Sequence, residues 1–356
     1  MSAPRLRRTG SRPETPAAFV RAIVLAYQRR GLDPAPALRQ AGLRLDDADR
    51  DPTSKVAIEA FEAFSALAMR ELDDEALGWF SRRLPWGSYG MLLRASLTAP
   101  TLDVALRRWC RHHGLLTDDV RIVPRVEGKS CVVGISEKAP AGALREFCLV
   151  SLLRNVHGVS CWLADSRIAL DGTAFTFAVP PHADAYGRLF AGAVTFDGPE
   201  AAMSFDAGYL RLPVVRDDDA LRRLLQKPIA LMSRQYRQDR LLPRRIVGLL
   251  STDAGLPADA PDIAERLNIS VRSLQRHLRE EGTSLVALRS RARRGRAEAL
   301  LGASDLPLKR IARLVGYGDE ASFGRAFRSW TGRTPAEYRR SMLLTCEPAS
   351  APTETA

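Results

Sequence analysis

Apolar positions in the first hundred or so residues recur at helical spacing. Phe19, Ile23, Ala26 and Tyr27 form one stripe, stopped by Gly31 with Pro34 just beyond it. Ile58, Phe61, Phe64, Ala68 and Leu72 form a second. Leu102, Leu106, Trp109 and Cys110 form a third, entered through Ala99-Pro100-Thr101, with Thr101 the expected N-cap. From Val120 the period changes to two. Val120, Ile122 and Val126, then Cys131 to Ile135, predict a hairpin about Glu127-Gly128-Lys129. Residues 142–163 are apolar nearly all round, the pattern of a buried helix. Ile168-Ala169-Leu170 and Phe175-Thr176-Phe177 flank Asp171-Gly172, which predicts a second hairpin with an Asp-Gly turn. A short helix over 184–190 and short strands at 194–196 and 203–205 follow. This mixed order predicts an α+β domain and not a βαβα series. Residues 217–239 then read as one amphipathic helix through Leu221, Leu225 and Met232, kinked at Pro228. Both a linker and a dimerising role stay open for it.

The remaining pattern is all helical and occurs twice. Ile263-Ala264, Leu267 and Ile269 match Ile311-Ala312, Val315 and Tyr317 at a spacing of 48. Leu274, Arg276 and Leu278 match Phe323, Arg325 and Phe327 at 49, and Ser284 and Leu288 match Thr334 and Tyr338 at 50. Each copy predicts a helix, a tight turn, a second helix and a capped third, the layout that presents its second helix to a DNA major groove. In the first copy Pro261 opens the first helix and Asn268-Ile269 make the turn. Ser270 caps the second helix, whose core face is Leu274 and Leu278. Arg272, Gln275, Arg276 and Arg279 are left facing outward, with side chains suited to bidentate bonds with guanine and adenine edges. In the second copy Gly316-Tyr317-Gly318 makes the turn and Asp319 caps. Ala321, Phe323, Ala326, Phe327 and Trp330 include its buried positions, and Glu320, Gly324, Arg325 and Arg328 face the groove. Thr334-Pro335 with Glu337 reads as a capped helix start. The span 284–304 between the copies predicts about 20 helical residues, about 30 Å. That is close to one DNA turn of about 34 Å. Its Arg289, Arg291, Arg293, Arg294 and Arg296 can touch the intervening DNA backbone or be solvated, and most are expected to be solvated.

Charge sharpens this division. The net charge is +12 over 356 residues, and residues 244–340 hold 19 Lys and Arg against 11 Asp and Glu. A segment this basic fits a polyanionic partner, although solubility alone accounts for such charge equally well. The five cysteines, Cys110, Cys131, Cys148, Cys161 and Cys346, include no C-x-x-C pair, so they read as reduced thiols and not as a metal or disulfide framework. No apolar segment of signal-peptide or membrane-spanning length is read, which gives the expectation of a cytoplasmic protein without a membrane partner. The expected organisation is a flexible basic arm (1–14), an α+β effector-binding or dimerisation domain (15–212), a linker helix (213–243), an all-α tandem helix-turn-helix DNA-binding domain (244–341) and a disordered tail (342–356).

At family spacing, Ile311-Ala312, Gly316-Tyr317, Ser322-Phe323, Arg325, Phe327-Arg328, Gly332, Thr334-Pro335 and Tyr338-Arg339 closely resemble the AraC/XylS signature, and Leu274-Gln275-Arg276 resembles the family's first helix-turn-helix. The resemblance covers about 245–341. It implies base contacts from Arg272, Gln275 and Arg276 in the first unit and from Glu320, Ala321, Gly324 and Arg325 in the second. Ala321 and Gly324 have no side-chain donors, so most base reading is expected from the first unit. Gly87-Ser88-Tyr89-Gly90, the turn over 96–101, and Pro181-His182 through Tyr186, Phe190 and Phe196 resemble the sensor domain of the ornithine-utilisation-regulator branch.

The resulting expectation is a one-component regulator of bacterial type that binds double-stranded promoter DNA under the control of a small-molecule effector. RNA polymerase is a partner if it activates, and a homodimer is compatible with the linker helix. A structural DNA-binding protein without effector or specificity is the alternative. Trp86, Tyr89, Arg94, Arg145, Arg154 and Trp162 are candidates for an effector pocket, the arginines pairing with a carboxylate. His112, His113, His157 and His182 have no nucleophile motif, metal triad, P-loop or carboxylate pair beside them, so no enzyme activity, catalytic residue, metal or cofactor is expected.

Overall fold

Helix α1 (Ala17–Gln28) buries the stripe that predicts it: Phe19, Ile23, Ala26 and Tyr27 are all at most 4% exposed. The structure, a computed structural model, describes residues 13–44, 51–138, 141–190, 192–226, 239–252, 259–267 and 269–345. The chain divides into two units, Met1–Asp239 and Arg240–Ala356.

In the first unit β1 (Glu14–Pro16) pairs antiparallel with β2 (Lys55–Ala57). That pairing sets α1 beside α3 (Ile58–Glu71), with the short α2 (Ala35–Gln40) between them in sequence. Helices α4 (Ser88–Leu97) and α5 (Leu102–Leu116) follow. The first expected hairpin is present as β3 (Val120–Glu127) and β4 (Ser130–Glu137), turning at Gly128, whose φ of 60° suits glycine. Helix α6 (Arg145–Ala164) is buried over most of its surface. With its preceding turn it is long and apolar enough to cross a membrane, but 83% of that apolar window is buried inside the protein, so it serves as a core helix.

The second expected hairpin does not form. Asp171-Gly172 lies inside a single strand, β5 (Leu170–Ala174). This strand pairs antiparallel with β7 (Ala201–Asp206), with a register irregularity between Leu170 and Gly172, and parallel with β6 (Ala193–Thr195). Partners on both sides favour continued pairing, so the Asp-Gly pair is absorbed as a bulge and makes no turn. Phe175 then packs against Tyr186 and Phe190 of α7 (Tyr186–Phe190), at ring separations of 5.4 Å each. The sheet order is β3-β4-β7-β5-β6. Thr101 occupies the N-cap position of α5 but makes no side-chain cap. It pairs instead with Pro213, and the Leu102 N–H donates to the Leu212 carbonyl at 2.8 Å, so backbone does the hydroxyl's work.

Helix α8 (Asp218–Leu225) is capped by Asp217, which accepts from the Ala220 N–H at 2.7 Å. The continuation of this helix through Pro228 and Met232 lies outside the described residues, as does most of the expected arm and tail. Glu14 already pairs with Ala57.

The second unit contains seven described helices: α9 (Leu242–Leu250), α10 (Ala260–Arg266), α11 (Val271–Glu280), α12 (Leu285–Ala303), α13 (Leu308–Leu314), α14 (Glu320–Thr331) and α15 (Pro335–Thr345). They build two cores. Leu242, Ile246, Ile263, Leu274 and Leu278 fill one, and Ile311, Val315, Phe323 and Phe327 fill the other. Helix α12 belongs to both: Leu288 and Ala292 are in the first core, Ala297 and Leu301 in the second.

In the first unit, His113 is fully buried against Trp109 (5.4 Å) and Phe80 (6.0 Å), and burial pushes its pKa down to about 4. An unfolded chain takes up this proton near pH 6.5. Between that pH and 4 the unfolded state therefore holds more protons, and stability falls with falling pH. Urea unfolding is expected to show wild type losing about 2–3 kcal/mol more than His113→Phe between pH 7.5 and 4.5.

Candidate nucleic-acid interface and ligand cavity

The Ser270 hydroxyl accepts from the Ser273 N–H at 3.1 Å and so starts α11. Leu274, His277 and Leu278 turn inward, which leaves Arg272, Gln275, Arg276 and Arg279 exposed together. Arg276 sits 3.3 Å from His277 Nε2 and 3.7 Å from Glu280. An exposed i,i+4 pair of this kind is worth only about 0.3–0.5 kcal/mol, so a nucleic-acid group can displace it.

Asp319 starts α14 by accepting from the Ser322 N–H at 2.7 Å, and that bond holds its carboxyl below the usual carboxylate range. Phe323 and Phe327 are buried, with Trp330 and Ala326 partly so. Ala321, expected among the buried positions, is exposed, because the face of Phe323, Phe327 and Trp330 meets the core. It shares the outer surface with Glu320, Arg325 and Arg328, and Gly324 leaves open space where a Cβ would stand. Arg325 donates to the Ser322 hydroxyl at 3.0 Å. The α15 start is the expected capping box: the Thr334 N–H donates to Glu337 at 2.8 Å and the Glu337 N–H to the Thr334 hydroxyl at 3.3 Å.

The arginines of α12 depart from the expectation of solvation. Arg293 lies over the Tyr317 ring at 5.2 Å. Arg294 donates to the Trp330 carbonyl and to Glu298, both at 2.8 Å. These two tie the second helix-turn-helix to α12, while Arg291 is exposed and Arg289 and Arg296 are half-buried.

The first unit holds a cavity of about 270 Å³. It brings together Trp86, Tyr89 and Arg94 of the six sequence candidates. Arg145 lies elsewhere, because Glu137 (2.7 Å) and Thr176 (2.6 Å) engage its guanidinium. Trp162 is 2% exposed and carries Arg216 over its ring at 5.8 Å. Arg154 is outside the lining as well, its pKa pushed down to about 10 by burial and opposed by Glu62. Arg94 lies at the rim, 61% exposed and 3.9 Å from Asp218.

Three consecutive acids that the sequence reading passed over hold the cavity wall. Asp73 accepts from the Trp86 N–H at 3.0 Å. Asp74, 1% exposed, accepts from the N–H groups of Ala76, Gly78 and Leu84 and from Arg30. Glu75 accepts from the Gly87 and Tyr89 N–H groups at 2.9 and 2.7 Å, at the start of α4. Burial pushes the Glu75 carboxyl up, and those two bonds offset part of that. An acid run before a glycine-rich helix start was the available signal. Phe147, Ser151 and Asn155 complete the wall from α6, a contribution with no local sequence mark.

His157 Nε2 meets the Ile168 carbonyl at 2.8 Å, and His182 Nε2 meets Glu146 at 2.7 Å. Among the described residues no cluster of three or more potential metal ligands occurs.

A paired helix-turn-helix joined to a sheet-containing unit with a ligand-sized cavity defines a class of transcription regulator. The family model "Arabinose-binding domain of AraC transcription regulator, N-term" matches residues 31–214, and a helix-turn-helix domain model matches 263–341. The chain belongs to the AraC family of transcription regulators. It is similar to the ornithine utilization regulator of Pseudomonas aeruginosa, 27% identical over 331 residues, covering 92% of this chain and 96% of that protein. It is also similar to the regulator VirS of Mycobacterium tuberculosis, 35% identical over 130 residues, covering 36% and 37% of the two chains. The solved structure of the regulator CdpR from Pseudomonas aeruginosa is 20% identical with a TM-score of 0.32, covering 91% of this chain and 98% of that one.

Gly316, with φ of 83°, forms the turn before α14, and a Cβ there would stand 3.3 Å from an Arg293 nitrogen. Gly316→Ala is expected to cost roughly 1–2 kcal/mol from the left-handed backbone alone. Chemical denaturation of the full chain checks this, with Gly318→Ala, where a Cβ meets open space, as the mild comparison.

Proposed function

We propose that α11 and α14 enter successive major grooves of a promoter site and that a small molecule in the first unit's cavity modulates this binding. The observation that carries the reading is α12. Its 19 residues amount to about 28 Å of helix at 1.5 Å per residue. The helix joins two cores whose outward helices both expose arginine. Recognition helices held about one such length apart would suit grooves about 34 Å apart. Ser270, Arg272, Gln275, Arg276 and Arg279 carry most of the base and phosphate contact in this reading. Arg325 is the main reader of α14, Arg328 meets phosphate, and Glu320, Ala321 and Gly324 lie against the groove. The asymmetry between the two helices favours sequence-specific binding over a purely architectural role.

Modulation is supported by the cavity's construction. Leu224 and Leu225 of α8 form part of its wall, and in sequence α8 directly precedes the segment that leads into the second unit. A ligand that changes the seating of α8 thus acts on the chain connecting sensor to reader. The reading implies a cytoplasmic protein, with RNA polymerase as a further partner where it activates and a homodimer as its assembled form on two-fold sites.

Gel-shift titration tests the DNA half. Arg276→Ala is expected to cost about 1–3 kcal/mol at its cognate base, and to bind that site and its single-base variant alike. Equal loss on both sequences would assign Arg276 to phosphate alone. Wild-type affinity is expected to fall steeply and log-linearly with salt as arginines release phosphate counterions.

A further inference from the structure

The cavity wall is apolar, with aromatic and aliphatic side chains such as Phe61, Met69, Trp79 and Phe147. Its volume, about 270 Å³, lies near the lower end, roughly 300 Å³, of sites that hold small organic ligands. Among its lining residues, Tyr89 Oη, Trp79 Nε1 and Asn155 Oδ1 are buried with no hydrogen-bond partner among the described residues. Trp79 is 7% exposed. Burial holds the Tyr89 phenol protonated, so it and the indole are donors, while Asn155 Oδ1 accepts. Unpaired buried polar groups are costly, and a complementary ligand removes that cost.

The charges of the wall narrow the ligand further. Glu75 is buried there, and both its oxygens already accept backbone N–H groups at the α4 start. Among the described residues of the lining, Arg94 is the only cation, 61% exposed at the rim and facing Asp218. A carboxylate ligand would lose its hydration beside Glu75 without gaining a buried cation. Of the candidate arginines, Arg94 alone is in this lining, at its exposed rim. An ammonium ligand would meet a carboxylate whose charge is already offset by two N–H donors and a helix N-terminus.

Resting on the reading of this cavity as the effector site, we propose that its ligand is an uncharged, mainly apolar molecule with a carbonyl-type acceptor and one N–H or O–H donor. The acceptor receives Tyr89 Oη–H and Trp79 Nε1–H, and the donor meets Asn155 Oδ1. The aromatic wall takes up the apolar body.

Three probes of one ring size separate the charge classes: benzamide, benzoate and benzylamine. Each is titrated into the full chain at pH 7.5, with tryptophan fluorescence reporting on Trp79 and Trp86 and thermal shift as a second readout. Benzamide is expected to bind at least tenfold tighter than either ion. Tyr89→Phe is expected to weaken benzamide about tenfold while leaving the empty protein's melting temperature unchanged or raised, because the hydroxyl has no partner among the described residues to lose and its burial is costly. Benzoate or benzylamine binding as tightly as benzamide would overturn the ligand class and leave the cavity as the effector site. No binding of any probe up to millimolar concentration would overturn the site reading together with the ligand class. Should Tyr89→Phe fail to fold, the hydroxyl is structural and its ligand role is overturned, while the wild-type series still decides the charge class.

Discussion

Everything the second unit does depends on one helix serving two hydrophobic cores. Leu288 and Ala292 on one half of α12 close the first core, and Ala297 and Leu301 on the other half close the second. Neither group of short helices has an apolar face to spare, since α10, α11, α13 and α14 each bury only a narrow stripe. Burying a Leu or Phe side chain is worth about 1.5–3 kcal/mol, so detaching α12 from either core removes a large part of that core's stability. Arg293 over Tyr317 and Arg294 on the Trp330 carbonyl then fix the rotation of the second half about the helix. Arginine-rich sequence on α12 thus does two jobs, structural at Arg293 and Arg294 and solvated at Arg291.

A comparable economy of parts appears in the first unit. The cavity is not enclosed by one element. Its walls come from α3, α4, α6 and α8 and from the loop that Asp73, Asp74 and Glu75 hold by their carboxylates. The three carboxylates hold that loop chiefly through backbone N–H groups, and Asp74 also holds Arg30. Gly90 adds a close fit: a Cβ there would come within 3.1 Å of the Leu225 side chain, tighter than ordinary contact, so α8 seats closely against α4 at this glycine.

The helices of the second unit were legible because their signals are local. Ser270, Asp319 and Thr334 cap helices where the sequence places caps, and Gly316 and Gly332 both take positive φ. Leu274, Leu278, Phe323 and Phe327 fall inward as their spacing requires. What failed was non-local. Asp171-Gly172 has the composition of a turn, but β7 and β6 supply partners that a local reading cannot see. Thr101 has the right side chain for a cap, yet the chain returning at Leu212 and Pro213 takes its place. The cavity was half legible: Trp86, Tyr89 and Arg94 lie at or near the recognisable Gly87–Gly90 helix start. Arg145, Arg154 and Trp162 were drawn from a buried helix whose faces sequence could not tell apart, and Phe147, Ser151 and Asn155 of that same helix line the cavity instead.

The most direct test of α12 as a fixed spacer uses DNA and leaves the protein unchanged. A binding site is selected from random duplexes, and the two segments protected in its major groove are mapped. Five base pairs, about half a turn, are then inserted between them. A rigid α12 cannot follow that rotation, so the account predicts that affinity falls to the level of random DNA, with recovery of at most one segment's contacts. Undiminished affinity with both segments still protected would contradict it, because the two recognition helices would then be independently placed.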